Sequence, residues 1–462
     1  MKIKILHTND IHSNFENYAK IATLISLHKD ETTLILDGGD FADFKSIELQ
    51  GTRGIAAIEL LETAGYDALT IGNNETFNGI DTLEYMASNS SIPFISNNLL
   101  KKDNSKVKGI FPSIILHKNG LRILITGSSP DLGVFNEGLG VHILSYKEAI
   151  MEEIKRNKGN YDVCILLSHI GTKADQELAM EIPEIDIILS AHDHQLYTEA
   201  LVVNGVIMNS AGNYGEHLGI LELEVTNGEV NLLHSATLPT KGIQPDDRVT
   251  AVLKVNKEKA IEVLSQPLYE IERPLWHDVI EENPISNLIA DGLKDMLNCD
   301  IGVINSGIVN AGAFDFLSNQ KLIEICPSPL NPTSFDVKGK DIKQAIEEAL
   351  DAQICFSDGK GPGFRGKFVG RLHFSGVEIK HEGRTVHEVL IGNKPLEDEV
   401  WYSVASSDYL QRGSGYKSLA HNQNDQYRAE DIRDVIRLYA NKPEFIEQAF
   451  INRWKQLSKV EA

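Results

Sequence analysis

An α/β first domain followed by an α+β second domain is the architecture that this 462-residue chain predicts. Three observations predict it. Short β-branched apolar runs alternate with amphipathic stretches through the first half, as βαβ units do. Past residue 194 that alternation gives way to Asn-Gly turns between β-rich runs. Past about residue 276, helical stretches precede a series of strands, and the length exceeds one ordinary core.

In chain order, an apolar run at 2–7 leads into Asp10-Ile11-His12, and an amphipathic stretch follows at 17–29. The run 33–36 leads into Asp37-Gly38-Gly39-Asp40, with a helix expected at 54–64. The run 68–71 leads into Gly72-Asn73-Asn74-Glu75, with helices expected at 80–89 and 147–157. The run 163–167 ends at Ser168-His169, a helix is expected at 174–181, and the run 185–189 ends at Ala191-His192-Asp193-His194. Each run is short and bounded by turn residues, which reads as a buried strand. Chemistry collects beyond the carboxyl ends of such strands. Asn204-Gly205 and Asn227-Gly228 read as hairpin turns closing a first domain over 1–240. A linker with a charged helix near 248–266 spans 241–275. The second domain, 276–462, is expected to hold helices at 284–297 and 339–352, strands from 370 onward, and terminal helices over 431–454.

Hydrophobic content of 42% and charged content of 24% are ordinary for a globular protein. The net charge of −22 argues against a nucleic-acid-binding surface, which needs a basic footprint. No apolar stretch approaches the roughly 20 residues that span a bilayer. The N-terminus enters a strand at once, so a chain complete as given is expected in the cytoplasm, away from membranes. Cys164, Cys299, Cys326 and Cys355 lie far apart and form no CxxC pair, which indicates neither a disulfide framework nor a zinc ribbon.

The polar tips carry the chemistry. Asp10 and His12, alternating past a strand end, are expected to point to one side and share an ion. Asp40 offers two anionic oxygens, the natural bridge between two cations, and Asn73 offers a neutral carbonyl oxygen. His169, His192 and His194 supply imidazole nitrogens. Such a set without thiolate suits two divalent transition ions (zinc, manganese, iron, cobalt or nickel) better than calcium or copper(I). Two ions about 3.5–4 Å apart activate a water, clamp the attacked ester and neutralise charge on a phosphoryl group.

Taken in order, Thr8-Asn9-Asp10-Ile11-His12, Gly39-Asp40, Gly72-Asn73-Asn74-Glu75, Ser168-His169 and His192-Asp193-His194 resemble the blocks of the calcineurin-like metallophosphoesterase superfamily. Within it the chain is most similar to the bifunctional 5′-nucleotidase/UDP-sugar hydrolases. The resemblance implies a first domain of two sheets flanked by helices and a 5′-nucleotidase-type substrate domain. It implies Asp10, His12, Asp40 and His194 around one metal, and Asp40, Asn73, His169 and His192 around the other. The family's histidine after the metal-binding asparagine, and the aspartate that orients it, are replaced by Asn74 and Phe77. Asn74 and Asp40 are therefore the residues assigned to catalysis, with Asn74 able to donate from its amide but not to act as an acid; a structural amide is the competing reading.

In the second domain, the segment 282–288 with Asp291 resembles the family segment that caps the metal cleft. Asn305-Ser306-Gly307 resembles the start of the substrate loop, but Asn310 stands where the family has a phosphate-gripping arginine. Arg365, in a glycine-rich loop at 359–366, and Arg371 are the candidate replacements on charge alone. Tyr409 and Tyr416 fall in the final block, where Tyr409 could stack on a base; both read equally well as core aromatics. The expected substrate-binding set is thus Asn305, Gly307, Arg365, Arg371, Tyr409 and Tyr416. The expected activity is two-metal hydrolysis of a phosphate ester or anhydride, foremost a 5′-nucleotide. The alternatives are another ester (cyclic phosphodiester, UDP-sugar or sulfur ester), or a nucleotide-binding sensor that keeps the metals with little turnover.

Overall fold

A computed structural model describes residues 1–361 and 363–457. The chain divides into two compact units, Met1–Ile261 and Glu262–Ala462. In the first unit a seven-stranded sheet runs in the order Glu229–Pro239, His217–Thr226, Lys2–Thr8, Thr33–Asp37, Ala68–Thr70, Phe94–Ile95, Ile110–Phe111. A six-stranded sheet runs Leu201–Val203, Val206–Asn209, Ile187–Ser190, Val163–Ser168, Leu121–Ser128, Ser113–Lys118. The central pairings of both sheets are parallel.

Alternation within these strands decides the layering. Ile3, Ile5, Leu34 and Leu36 of one sheet share a buried cluster with Ile123, Ile125, Ile165, Leu167, Ile187 and Leu189 of the other. The intervening Leu124, Cys164, Leu166 and Ile188 turn the opposite way, toward Ile150 and Ile154 of the helix Tyr146–Arg156 and Leu178 of the helix Thr172–Glu181. Strands covered on both faces have no reason to carry polar residues until they end, so the apolar runs are continuous and the tips abrupt. Both Asn-Gly turns form hairpins, with φ of 50° and 87° at Asn204 and Gly205 and 57° and 83° at Asn227 and Gly228. The helix Asp247–Leu264 packs on the first unit: Asn256 Nδ2 donates to Glu59 Oε2 at 2.7 Å, and Ala260 lies against Gly51.

The second unit is built on a five-stranded sheet in the order Leu372–Ser375, Ile301–Asn305, Trp401–Ser407, Pro332–Lys338, Asn422–Tyr427. The helix Pro284–Leu297 starts where the sequence places it, with Pro284 in the first turn and the Asn283 side chain accepting from Ser286 N. The expected terminal helices need correction. Ile432–Tyr439 and Pro443–Ala449 are helical, but Trp454–Gln456 is a strand paired in parallel with Val377–Glu382. The indole fixes it there, donating from Nε1 to Leu372 O at 3.1 Å and packing on Phe374 and His381. Among the described residues no helix is long and apolar enough to cross a membrane.

Candidate metal centre

The polar tips do not continue as strands. Asp10, His12, Asp40, His192 and His194 have φ of 51°, 49°, 55°, 83° and 58°, a left-handed backbone that side-chain-bearing residues rarely adopt. Asp10 and His12 therefore share a site because the loop turns twice, not because a strand alternates. Such strain persists only where surroundings over-determine it. Here Asp10 N donates to Gly39 O at 2.9 Å, His12 N to Asp40 O at 2.8 Å, and Tyr214 N to Asp10 O at 2.8 Å. The buried carboxylate of Glu75 accepts from Asp40 N at 3.1 Å, Ala42 N at 2.8 Å and Gly72 N at 2.8 Å, tying two tips together. Gly72 is required by proximity, since a Cβ there would lie 2.1 Å from Asp40 Oδ1.

Within this frame two groups form: Asp10, His12 and His194, and Asp10, Asp40 and His169, the ligand atoms of each within 4.8 Å of one another. Asp10 belongs to both, a sharing the sequence assigned to Asp40 alone. Asp10 Oδ2 accepts from Asn9 Nδ2 at 2.8 Å and His192 N at 3.0 Å. Its Oδ1 is buried without a hydrogen-bond partner, 3.5 Å from His194 Nε2 and 3.8 Å from the Nε2 of both His12 and His169. His169 donates from Nδ1 to Gly38 O at 2.7 Å, which turns its unpartnered Nε2 toward Asp40 Oδ2, 3.3 Å away. His12 Nε2 and His194 Nε2 face each other at 3.1 Å. His192 Nδ1 lies 3.0 Å from Asn73 Oδ1. Buried carboxylate and imidazole atoms converging without partners fit a divalent cation, and the nitrogen–oxygen donor set is the kind such ions take.

The electrostatics agree. Burial alone would lower the His169 pKa, but the carboxylates of Asp40 and Asp10 outweigh it and lift the ring to about 10. Burial would raise Asp40, and His169 and His12 beside it hold it well below the carboxylate range instead. Burial pushes Glu75 up to about 7, helped by Asp40. The cluster draws in positive charge.

Asn74 directs both of its donors at Asp40, the backbone N to Oδ1 at 2.8 Å and Nδ2 to Oδ2 at 2.7 Å. The side chain at position 77 packs edge-on against Phe135, ring centres 5.5 Å apart, where the family has its orienting aspartate. Asn9, Glu75, Asp43 and Asn213 were not read from the sequence as site residues. Asn213 lies 3.0 Å from His194 Nδ1 and Asp43 3.8 Å from His12 Nδ1. Glu75 closes the block Gly72-Asn73-Asn74-Glu75 without a role of its own in the sequence, and nothing in the sequence marks Asn213.

In the second unit four of the expected substrate residues, Asn305, Gly307, Tyr409 and Tyr416, gather around residues 363–371, which themselves carry Arg365 and Arg371. Asn305, fully buried, donates from Nδ2 to Val369 O at 2.6 Å, and Tyr416 donates to Gly370 O at 2.7 Å. Gly307 lies against that segment so closely that a Cβ would meet Phe368 O at 1.9 Å. Tyr409, also fully buried, stacks on Phe364 with ring centres 4.3 Å apart and planes 22° apart. Arg371 lies over the Trp454 ring at 4.0 Å, with Nη1 donating to Ile280 O and Nε and Nη2 unpartnered. Arg365 donates from its N to Ser328 Oγ and from Nη1 to Phe364 O. Asn305 and Tyr416 thus use their polar groups to hold backbone.

Residues 3–196 match the calcineurin-like phosphoesterase model, and residues 260–421 match the 5′-nucleotidase C-terminal domain. An uncharacterised metallophosphoesterase of Bacillus subtilis, YunD, is 31% identical over 460 residues, covering 94% of this chain and 98% of its own. The 5′-nucleotidase of Mus musculus is 27% identical, covering 98% of this chain and 90% of its own. The NAD nucleotidase NadN of Haemophilus influenzae shares the fold, with a TM-score of 0.67 at 16% identity over 99% of this chain and 98% of that one. The chain belongs to the metallophosphoesterases that join a calcineurin-like phosphoesterase domain to a 5′-nucleotidase C-terminal domain, and it is a metal-dependent phosphoester hydrolase.

Proposed function

We propose that this hydrolase holds two divalent transition ions and cleaves a 5′-nucleotide or a related phosphate ester or anhydride. The observation that carries the reading is the unpartnered pair Asp10 Oδ1 and His169 Nε2, buried and converging with His12, His194 and Asp40. Asp10, His12, Asp40 and His194 would hold one ion, and Asp40, Asn73, His169 and His192 the other. When bound, such ions acidify the attacking water and neutralise charge on the phosphoryl group.

The chain's own residues do the placing. Asn74 grips Asp40 at both oxygens, which fixes that carboxylate where it would hold an ion. Gly38 O fixes the face His169 presents. Asn74 has no proton to give a leaving group, so departure depends on a weakly basic leaving group or on protonation by solvent. This favours substrates with good leaving groups, nucleoside diphosphate esters and anhydrides among them.

Base recognition by Tyr409, which is fully buried, would require the Phe364 ring stacked on it to give way. One observation favours a second reading, an ester without a stacked base: Phe364 already covers the face of Tyr409. Rates on nucleoside monophosphates, UDP-sugars, cyclic nucleotides, sulfur esters and simple phosphomonoesters, measured with manganese- or zinc-loaded protein, test both. Fastest turnover on a nucleotide, abolished in Asp40→Ala, supports the first reading. Equal rates with and without a base support the second, and no turnover on any member overturns both.

A further inference from the structure

His169, His192 and His194 leave the ends of two neighbouring parallel strands, Val163–Ser168 and Ile187–Ser190. One helix, Thr172–Glu181, reaches both ends. Its buried Asp175 accepts from Ser168 Oγ, next to His169. Its first residue, Thr172, donates through the backbone N at 2.9 Å and through Oγ1 to Asp193 Oδ2. Thr172 is buried.

Asp193 stands between His192 and His194, at φ of 83° and 58°. Two left-handed residues flanking one position give that loop little local reason to hold its shape. Something outside it has to hold it. His192 is tied on one side, its N donating to Asp10 Oδ2 at 3.0 Å. The Asp193 carboxylate supplies the other tie. The chain turns into the helix at Gly171, with φ of 96°, where a Cβ would come within 3.8 Å of Asp193 Oδ2.

We infer that Thr172 and Asp193 form a latch that positions His192 and His194 for cation binding, so that the helix Thr172–Glu181 presets three ligands at once. Neither residue is itself a ligand in this arrangement. The inference rests on the two-ion reading above. Outer partners of metal ligands typically matter by about 10–100-fold in affinity.

Manganese titration of the chelator-stripped full chain by calorimetry, alongside thermal melting of the metal-free protein, tests it. Wild type is expected to take up two ions. Asp193→Ala should weaken at least one site by about 10–100-fold. Thr172→Val, which keeps the backbone donor and loses the hydroxyl, should weaken it less, and Thr172→Ser should restore it. Unchanged affinity in Asp193→Ala and Thr172→Val overturns the latch, and so does a lowered melting temperature with unchanged affinity, the sign of a structural bond only. Should Asp193→Ala not fold, the Thr172 pair decides alone. No uptake by wild type sinks the two-ion reading itself and the latch with it.

Discussion

At Asp10 and Asp40 the chain keeps buried negative charge that only a cation completes. Asp40 has four neighbours holding it: the Asn74 backbone and amide, and the rings of His12 and His169. A hydrogen bond to a charged group contributes about 1.5–3 kcal/mol. Asn74→Ala removes one such bond, so kcat/KM is expected to fall about 10–100-fold, read in steady-state kinetics on the best substrate. A fall below threefold would show that Asn74 does not hold Asp40. The double change Asn74→His with Phe77→Asp installs a proton donor and its orienter, and is expected to raise the rate most on substrates with poor leaving groups. No rise on any cleaved substrate would count against the missing acid. Gly72→Ala places a Cβ 2.1 Å from Asp40 Oδ1, so the variant should lose metal uptake while its far-ultraviolet circular dichroism stays unchanged.

Among the elements, legibility followed the locality of the forces. Strands 163–168 and 187–190 were readable because burial on both faces demands unbroken apolar runs. The helix Pro284–Leu297 was readable because Asn283-Pro284 writes its cap and first turn into the sequence. The meeting of Asp10, His12, Asp40, His169 and His194 was readable because residue type and order survive whatever the loop does. The left-handed backbone at Asp10, His12, Asp40, His192 and His194 was not, since no side chain announces it. The strand Trp454–Gln456 was hidden because its partner lies more than seventy residues earlier, at Val377–Glu382. Asn213 was hidden because no motif marks it and only the fold brings it to His194, 19 residues earlier. His373, buried and accepting at Nε2 from Asn283 N at 3.2 Å, is pushed by burial down to about 3. The unfolded chain takes up that proton near 6.5 and the folded one does not. The contribution is therefore complete above about pH 6.5 and is lost as pH falls toward 3, by up to about 1.4 kcal/mol per unit. His373→Gln should flatten the dependence of urea-unfolding stability on pH across that window; an unaltered slope would place the effect elsewhere.

The whole molecule carries a net charge of −22 and concentrates buried carboxylates at Asp10, Asp37, Asp40 and Glu75. Binding of divalent cations should therefore stabilise the fold as well as enable turnover, by about 4 kcal/mol at a thousandfold excess over Kd. Chelation should reverse both together, and a melting temperature indifferent to chelator would separate the fold from the centre. The most direct measurement is elemental analysis of protein purified without chelator, beside the same analysis of Asp10→Ala and His169→Ala, which remove the two unpartnered atoms. Two transition ions per wild-type chain, falling to one or none in each variant, is the expected result. A wild-type chain that carries none and takes up none on titration would contradict it.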